Sequence, residues 1–68
     1  MPSEVIRDFH YDDDSGELTI WFTTGRTYVY ESVPADVSAG LDDAFSRGRY
    51  FNKHIRNNYR FRELMPAH

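Results

Sequence analysis

Three stretches in the first half of the chain carry apolar and aromatic residues at strand spacing. Val5 to Tyr11 holds Val5, Ile6, Phe9 and Tyr11. The adjacency of Val5 and Ile6 breaks strict alternation, and a bulge near Arg7 restores it. Glu17 to Thr23 alternates cleanly, with Leu18, Ile20 and Phe22 on one face and Thr19, Trp21 and Thr23 on the other. Arg26 to Ser32 puts Tyr28 and Tyr30 on one face, beside Phe22 across a hairpin, with Thr27, Val29 and Glu31 opposite. Asp12-Asp13-Asp14-Ser15-Gly16 and Thr24-Gly25 lie between these stretches and read as turns. Two short connections in a row predict an antiparallel meander.

The period then changes from two to 3.6. Pro34 suits the first turn of a helix, where its missing N–H costs nothing. Val37, Leu41, Ala44 and Phe45 follow on one helical face, and Asp36 near the start complements the helix dipole. Gly40 costs such a helix about 1 kcal/mol relative to Ala, a cost that a close neighbouring element would explain. Gly48 reads as its C-cap. Phe51 and Ile55 then recur at i, i+4, with Tyr59 one turn on, and Asn57-Asn58 weakens the pattern. The expectation is one α+β domain over 1–68. It has a three-stranded antiparallel meander over 5–32, a longer helix over 34–47, a short helix over 49–58 and a frayed tail over 62–68. Ile20, Phe22, Tyr28, Tyr30, Leu41 and Phe45 are its expected main core.

Length and composition restrict the class further. A chain of 68 residues buries only about 60% of its unfolded surface, enough for a marginal core. It has no cysteine, which removes disulfides and thiol chemistry and points to a cytoplasmic setting. No apolar run approaches the roughly 20 residues of a membrane span, and Met1-Pro2-Ser3-Glu4 has no signal-peptide character. The charge is unevenly spread. Met1 to Ser46 has two basic and ten acidic residues, a balance of −8, whereas Arg47 to His68 has six basic and one acidic, a balance of +5. Such a split marks either an anion-binding face or two halves that neutralise each other, in the fold or across a dimer.

The ordered set Gly25-Arg26-Thr27-Tyr28-Val29-Tyr30, Val33-Pro34, Ala44-Phe45-Ser46-Arg47-Gly48-Arg49-Tyr50-Phe51-Asn52, Ile55-Arg56 and Tyr59 resembles the KTSC domain family. Ile6, Tyr11, Leu18, Ile20 and Phe22 fit its apolar pattern. The family takes its name from the C-terminus of some lysyl-tRNA synthetases and also occurs as stand-alone small bacterial proteins. The resemblance implies no defined activity: the family's function is unknown, and RNA binding is proposed for it by association with the synthetase. The chain departs from the pattern at Phe45, where a small residue is expected, and in its acidic N-terminal part.

The candidate chemistry sits in the C-terminal segment. Arg49, Lys53, Arg56 and Arg60 recur at spacings of four, three and four, a basic stripe on a helix. With Tyr50 and Tyr59 as stacking rings they form an expected nucleic-acid-binding set for tRNA or single-stranded RNA. The competing role is pairing with the acidic half, with the tyrosines capping the core. Tyr28 and Tyr30 suit a stacking platform or, more simply, core packing. Trp21 and Val29 share a sheet face without an evident cover, an expected contact for a protein partner or a second copy. Asp12, Asp13, Asp14 and Glu17 form a solvated turn: position twelve of a calcium loop would be Thr23, which cannot close it. His10, His54 and His68 are scattered, and Ser46 has no activating partner nearby in sequence. The expected function is a non-catalytic module, without cofactor or metal, that binds RNA or another polyanion weakly. The alternative is a protein-interaction or homodimerisation domain acting through the Trp21 face.

Overall fold

The computed structural model describes residues 6–64. The four antiparallel strands β1 (Ile6–Asp12), β2 (Glu17–Phe22), β3 (Thr27–Tyr30) and β4 (Phe61–Leu64) form one sheet in the order β1-β2-β3-β4. Helix α1 (Ala35–Asp43) and helix α2 (Arg47–Tyr50), which runs on as a π turn over Phe51–Ile55, separate β3 from β4. The fold is α+β, with a fourth strand where a frayed tail over 62–68 is expected. Val5 and residues 65–68 lie outside the described residues.

Local chemistry explains the meander. The pairing of β1 with β2 slips between Ile6 and Asp8, so a bulge at Arg7 brings Ile6, Phe9 and Tyr11 opposite Phe22, Ile20 and Leu18. In the first turn the Asp12 carboxylate accepts from the Asp14 N–H at 3.0 Å, and Gly16 takes φ +75°. The Phe22 N–H donates to the Arg26 carbonyl at 2.9 Å and closes the second hairpin.

The core lies between the inner sheet face and the helices. Leu18, Ile20, Phe22 and Tyr30 meet Val33, Leu41, Phe51 and Ile55, all buried. Each fully buried aliphatic side chain contributes about 1.5–3 kcal/mol. The Tyr11 hydroxyl donates to the Val33 carbonyl at 2.6 Å and ties the sheet to the start of the helical part.

Three expectations are corrected here. First, α1 stops at Asp43 because Ala44 takes an extended conformation, φ −68° and ψ 141°. Phe45 therefore leaves the helical face and is 107% exposed, not part of the core. Second, Gly48 does not cap a helix but lies inside α2. Its N-cap is Ser46, whose hydroxyl accepts from the Arg49 N–H at 3.4 Å. Third, Val29 is on the outer face with Trp21 but is only 3% exposed. Arg62 stands opposite Val29 and reaches across it to Glu31 at 3.0 Å and Glu17 at 3.5 Å. Trp21 and Leu64, 37% and 40% exposed, flank Thr27 in the next row.

Candidate nucleic-acid interface

The break between α1 and α2 builds the first part of the site. The chain turns at Ala44, presents the Phe45 ring to solvent and restarts as a helix at Arg47. On α2 and its π turn, Arg49 and Lys53 are four apart, as are Tyr50 and His54, so each pair falls on neighbouring surface. The Tyr50 and His54 rings pack at a tilt of 39° with centroids 4.4 Å apart. Ala44, Phe45, Ser46, Arg49, Tyr50, Lys53 and His54 together line an open recess of about 360 Å³.

Gly40 positions Tyr50. A Cβ at Gly40 would fall 2.1 Å from the Tyr50 hydroxyl oxygen and 2.7 Å from Cζ. A side chain there is thus excluded by the tyrosine, which accounts for a glycine inside α1. Tyr50 packs against the core edge and offers a recess wall rather than a free-standing ring.

The electrostatics divide the basic residues into two groups. Arg47 pairs with Asp42 at 3.5 Å and sets its guanidinium 5.1 Å from the Phe9 ring centroid. Arg62 holds Glu17 and Glu31, and Arg26 holds Glu63 at 3.5 Å. Among the described residues, Arg49, Lys53, Arg56 and Arg60 make no ion pair with a carboxylate, and all four are exposed. The acidic half therefore neutralises Arg47 and Arg62 but not the four stripe residues.

Those four do not share one helical stripe. The Arg56 N–H donates to the Phe51 carbonyl at 2.8 Å, the last bond of the π turn, and Asn57 takes the left-handed φ +69° that ends it. Arg49 and Lys53 stay at the Phe45 recess. Arg56 lines a separate cleft with Phe22, Tyr28, Tyr30, Phe51, Asn57 and Phe61, and donates to Asn52 Oδ1 at 3.4 Å. Arg60 is exposed just before β4, and its carbonyl accepts from the Glu31 N–H at 2.8 Å. Tyr59 is half-buried against the core. Phe45, His54 and Phe61 join these surfaces, although the sequence pattern put Phe45 in the core and gave His54 and Phe61 no binding role. The aromatic-basic alternation around Phe45 was the available signal, but the helical pattern assigned that ring to the core.

Residues 2–59 match the KTSC domain. A lysine–tRNA ligase of Nostoc punctiforme is 42% identical over 60 residues, which cover 88% of this chain and 11% of the ligase. An uncharacterized protein of Stutzerimonas stutzeri is 36% identical over 62 residues, covering 90% of this chain and 87% of that protein. The crystal structure of a KTSC domain protein from Yersinia pestis superposes with a TM-score of 0.84 at 32% identity, covering 96% of this chain and 90% of that one. The chain spans only 11% and 10% of the length of the first two lysine–tRNA ligases it matches. By sequence over most of its length, and by the crystal structure it superposes on, the chain belongs to the KTSC domain family.

Proposed function

We propose that this chain is a non-catalytic module of the cytoplasm that binds single-stranded RNA weakly. The carrying observation is the pair of exposed cations Arg49 and Lys53, unpaired among the described residues, beside the fully exposed ring of Phe45. Cations along a groove and rings that receive bases are the two components of sequence-tolerant single-strand binding. Relatives named as lysine–tRNA ligases act on a tRNA, which supports RNA as the polyanion. The lack of cysteine fits a reducing compartment. The net charge of −3 keeps the overall field against a polyanion and the affinity low.

Fluorescence anisotropy against tRNA, single-stranded RNA and duplex DNA at several salt concentrations tests this. Four phosphate contacts, from Arg49, Lys53, Arg56 and Arg60, give a log–log slope of about −2.8, or roughly a fifty-fold loss of affinity between about 50 and 200 mM salt. The double variant Arg49→Gln/Lys53→Gln should bind with a slope near about −1.4 while melting as the parent does. No binding to any RNA at low salt by the folded chain rules the function out, as does an unchanged slope in the double variant.

Protein association through the outer face is the second function, favoured by the exposure of Trp21 and Leu64 on either side of Thr27. It requires a dimer or larger species in light scattering at high concentration. Arg62 spreads over Val29 and shrinks that apolar surface, so RNA binding is preferred.

A further inference from the structure

The helices do not cover the whole inner face of the sheet. Leu41, Phe51 and Ile55 bury Leu18, Ile20 and Phe22, but at the β3–β4 edge Phe61 remains 55% exposed and Tyr28 half-exposed. Between this edge and the end of the π turn lies a cleft of about 220 Å³. Its walls are Phe22, Tyr28, Tyr30, Phe51 and Phe61, whose neighbouring centroids lie 5.3 to 5.6 Å apart, apart from the Tyr28–Tyr30 pair at 6.4 Å. The mutual packing of these rings fixes the wall in shape. Arg56 and Asn57 supply the polar side.

We infer that this cleft receives one unstacked base of the RNA strand, with Arg56 on an adjacent phosphate. The inference rests on single-stranded RNA being the ligand of the Phe45 recess, and it adds a second, base-dependent contact. Three observations carry it. The volume is below the roughly 300–1,000 Å³ of sites for larger organic ligands and suits one planar ring. The lining is aromatic on one side, while on the other Asn57 offers an amide donor and acceptor for a base edge. Cations stand on both sides of the cleft. Arg56 has one guanidinium bond, to Asn52, and no carboxylate partner among the described residues. On the other side, Phe22 and Tyr28 continue into a second recess of about 270 Å³ shared with Thr24 and Arg26. Glu63, which stands opposite Tyr28 and is the acid on this edge, is held by Arg26 at 3.5 Å. A strand crossing the edge therefore meets guanidinium, ring wall and guanidinium in turn. Arg56 follows Lys53 by three residues, so at most about 11 Å of Cα path separates the cleft's cation from the Phe45 recess.

The test compares a ten-nucleotide oligouridine with an abasic strand carrying the same phosphates, against the unaltered chain and Phe61→Ser. The unaltered chain should prefer oligouridine. Phe61→Ser should weaken oligouridine by about five- to 150-fold and leave the abasic strand unaffected. In the unaltered chain, the Asn57 side-chain amide resonances should shift on saturation with oligouridine and not with the abasic strand. This second readout stands if Phe61→Ser fails to fold. If oligouridine binds but the Asn57 amide does not move, the cleft assignment is overturned while RNA binding survives. Equal oligouridine affinity for a folded Phe61→Ser and its parent has the same consequence. If the folded, unaltered chain binds neither strand, both the cleft and the RNA-binding function fall together.

Discussion

The two ends of the inner sheet face use the same residue types for opposite purposes. Over β2, Leu18, Ile20 and Phe22 are roofed by Leu41, Phe51 and Ile55 and buried, with Phe22 at the border of the open cleft. Over β4, Phe61 has no helical roof and stays open beside Arg56. The difference comes from helix length. α1 ends at Asp43, and the π turn ends at Ile55 with Asn57 in the left-handed region, so the helical layer stops short of the last strand. Rings under the roof determine stability. The Phe61 ring beyond it keeps 55% of its surface exposed and remains available to a ligand. Cations follow the same division, since Arg47 is tied to Asp42 and Phe9 while Arg49, Lys53 and Arg56 face solvent.

The largest effect should come from the roof. Leu41 is fully buried at the centre of the cluster, so Leu41→Ala should cost about 2–5 kcal/mol. That is a large share of the stability of so small a domain. The melting midpoint by circular dichroism should drop by at least about 8 °C. A smaller loss would mean that the packed end carries less of the fold than its burial indicates.

A contact at the edge of the roof gives the next effect. Alanine at Gly40 would collide with Tyr50, an overpacking cost of about 1–3 kcal/mol, partly offset by about 1 kcal/mol of better helix propensity. Gly40→Ala alone should be neutral to destabilising. In a Tyr50→Ala background the collision is gone, and Gly40→Ala should stabilise by up to about 1 kcal/mol. Urea melts of the four proteins read this change of sign. Additive effects would show that Tyr50 does not rest on Gly40.

What was legible in the sequence follows from how local each cause is. The bulge at Arg7, the clean alternation of β2 and the turn at Asp12–Gly16 depend on residues close in the chain, and all are present. The close approach at Gly40 was legible as an oddity, though not its partner. β4 was not legible. Its inner face carries Phe61 and Glu63 and its outer face Arg62 and Leu64, so neither face is purely apolar and no strand pattern emerges. The strand exists because β3 offers an edge, and its pairs join residues more than 30 positions apart, such as Tyr30 with Phe61. The first helix misled for a different reason. Helical spacing from Val37 runs through Phe45, but an extended Ala44 and the Ser46 cap interrupt it. At the site, the four stripe cations are exposed as the sequence implied, but the π turn and Asn57 direct Arg56 to another surface.

The smallest effect on stability is expected at the residue where the sequence pattern and the structure disagree most. Phe45 read as core but is fully exposed, so Phe45→Ser should change stability by no more than about 0.5 kcal/mol. A core phenylalanine would instead cost about 3–5 kcal/mol on truncation, so one thermal melt separates the two placements. The same variant also sharpens the comparison of the two ends. Phe45 carries no charge, and if its ring stacks on a base, Phe45→Ser should weaken single-stranded RNA with the salt slope unchanged, whereas Arg49→Gln/Lys53→Gln flattens the slope. A stable Phe45→Ser protein with unaltered RNA affinity would leave the cations in place as a polyanion surface and remove the stacking part of the interface. A protein that unfolds would put Phe45 back under the roof and place the boundary between the two ends beyond Asp43.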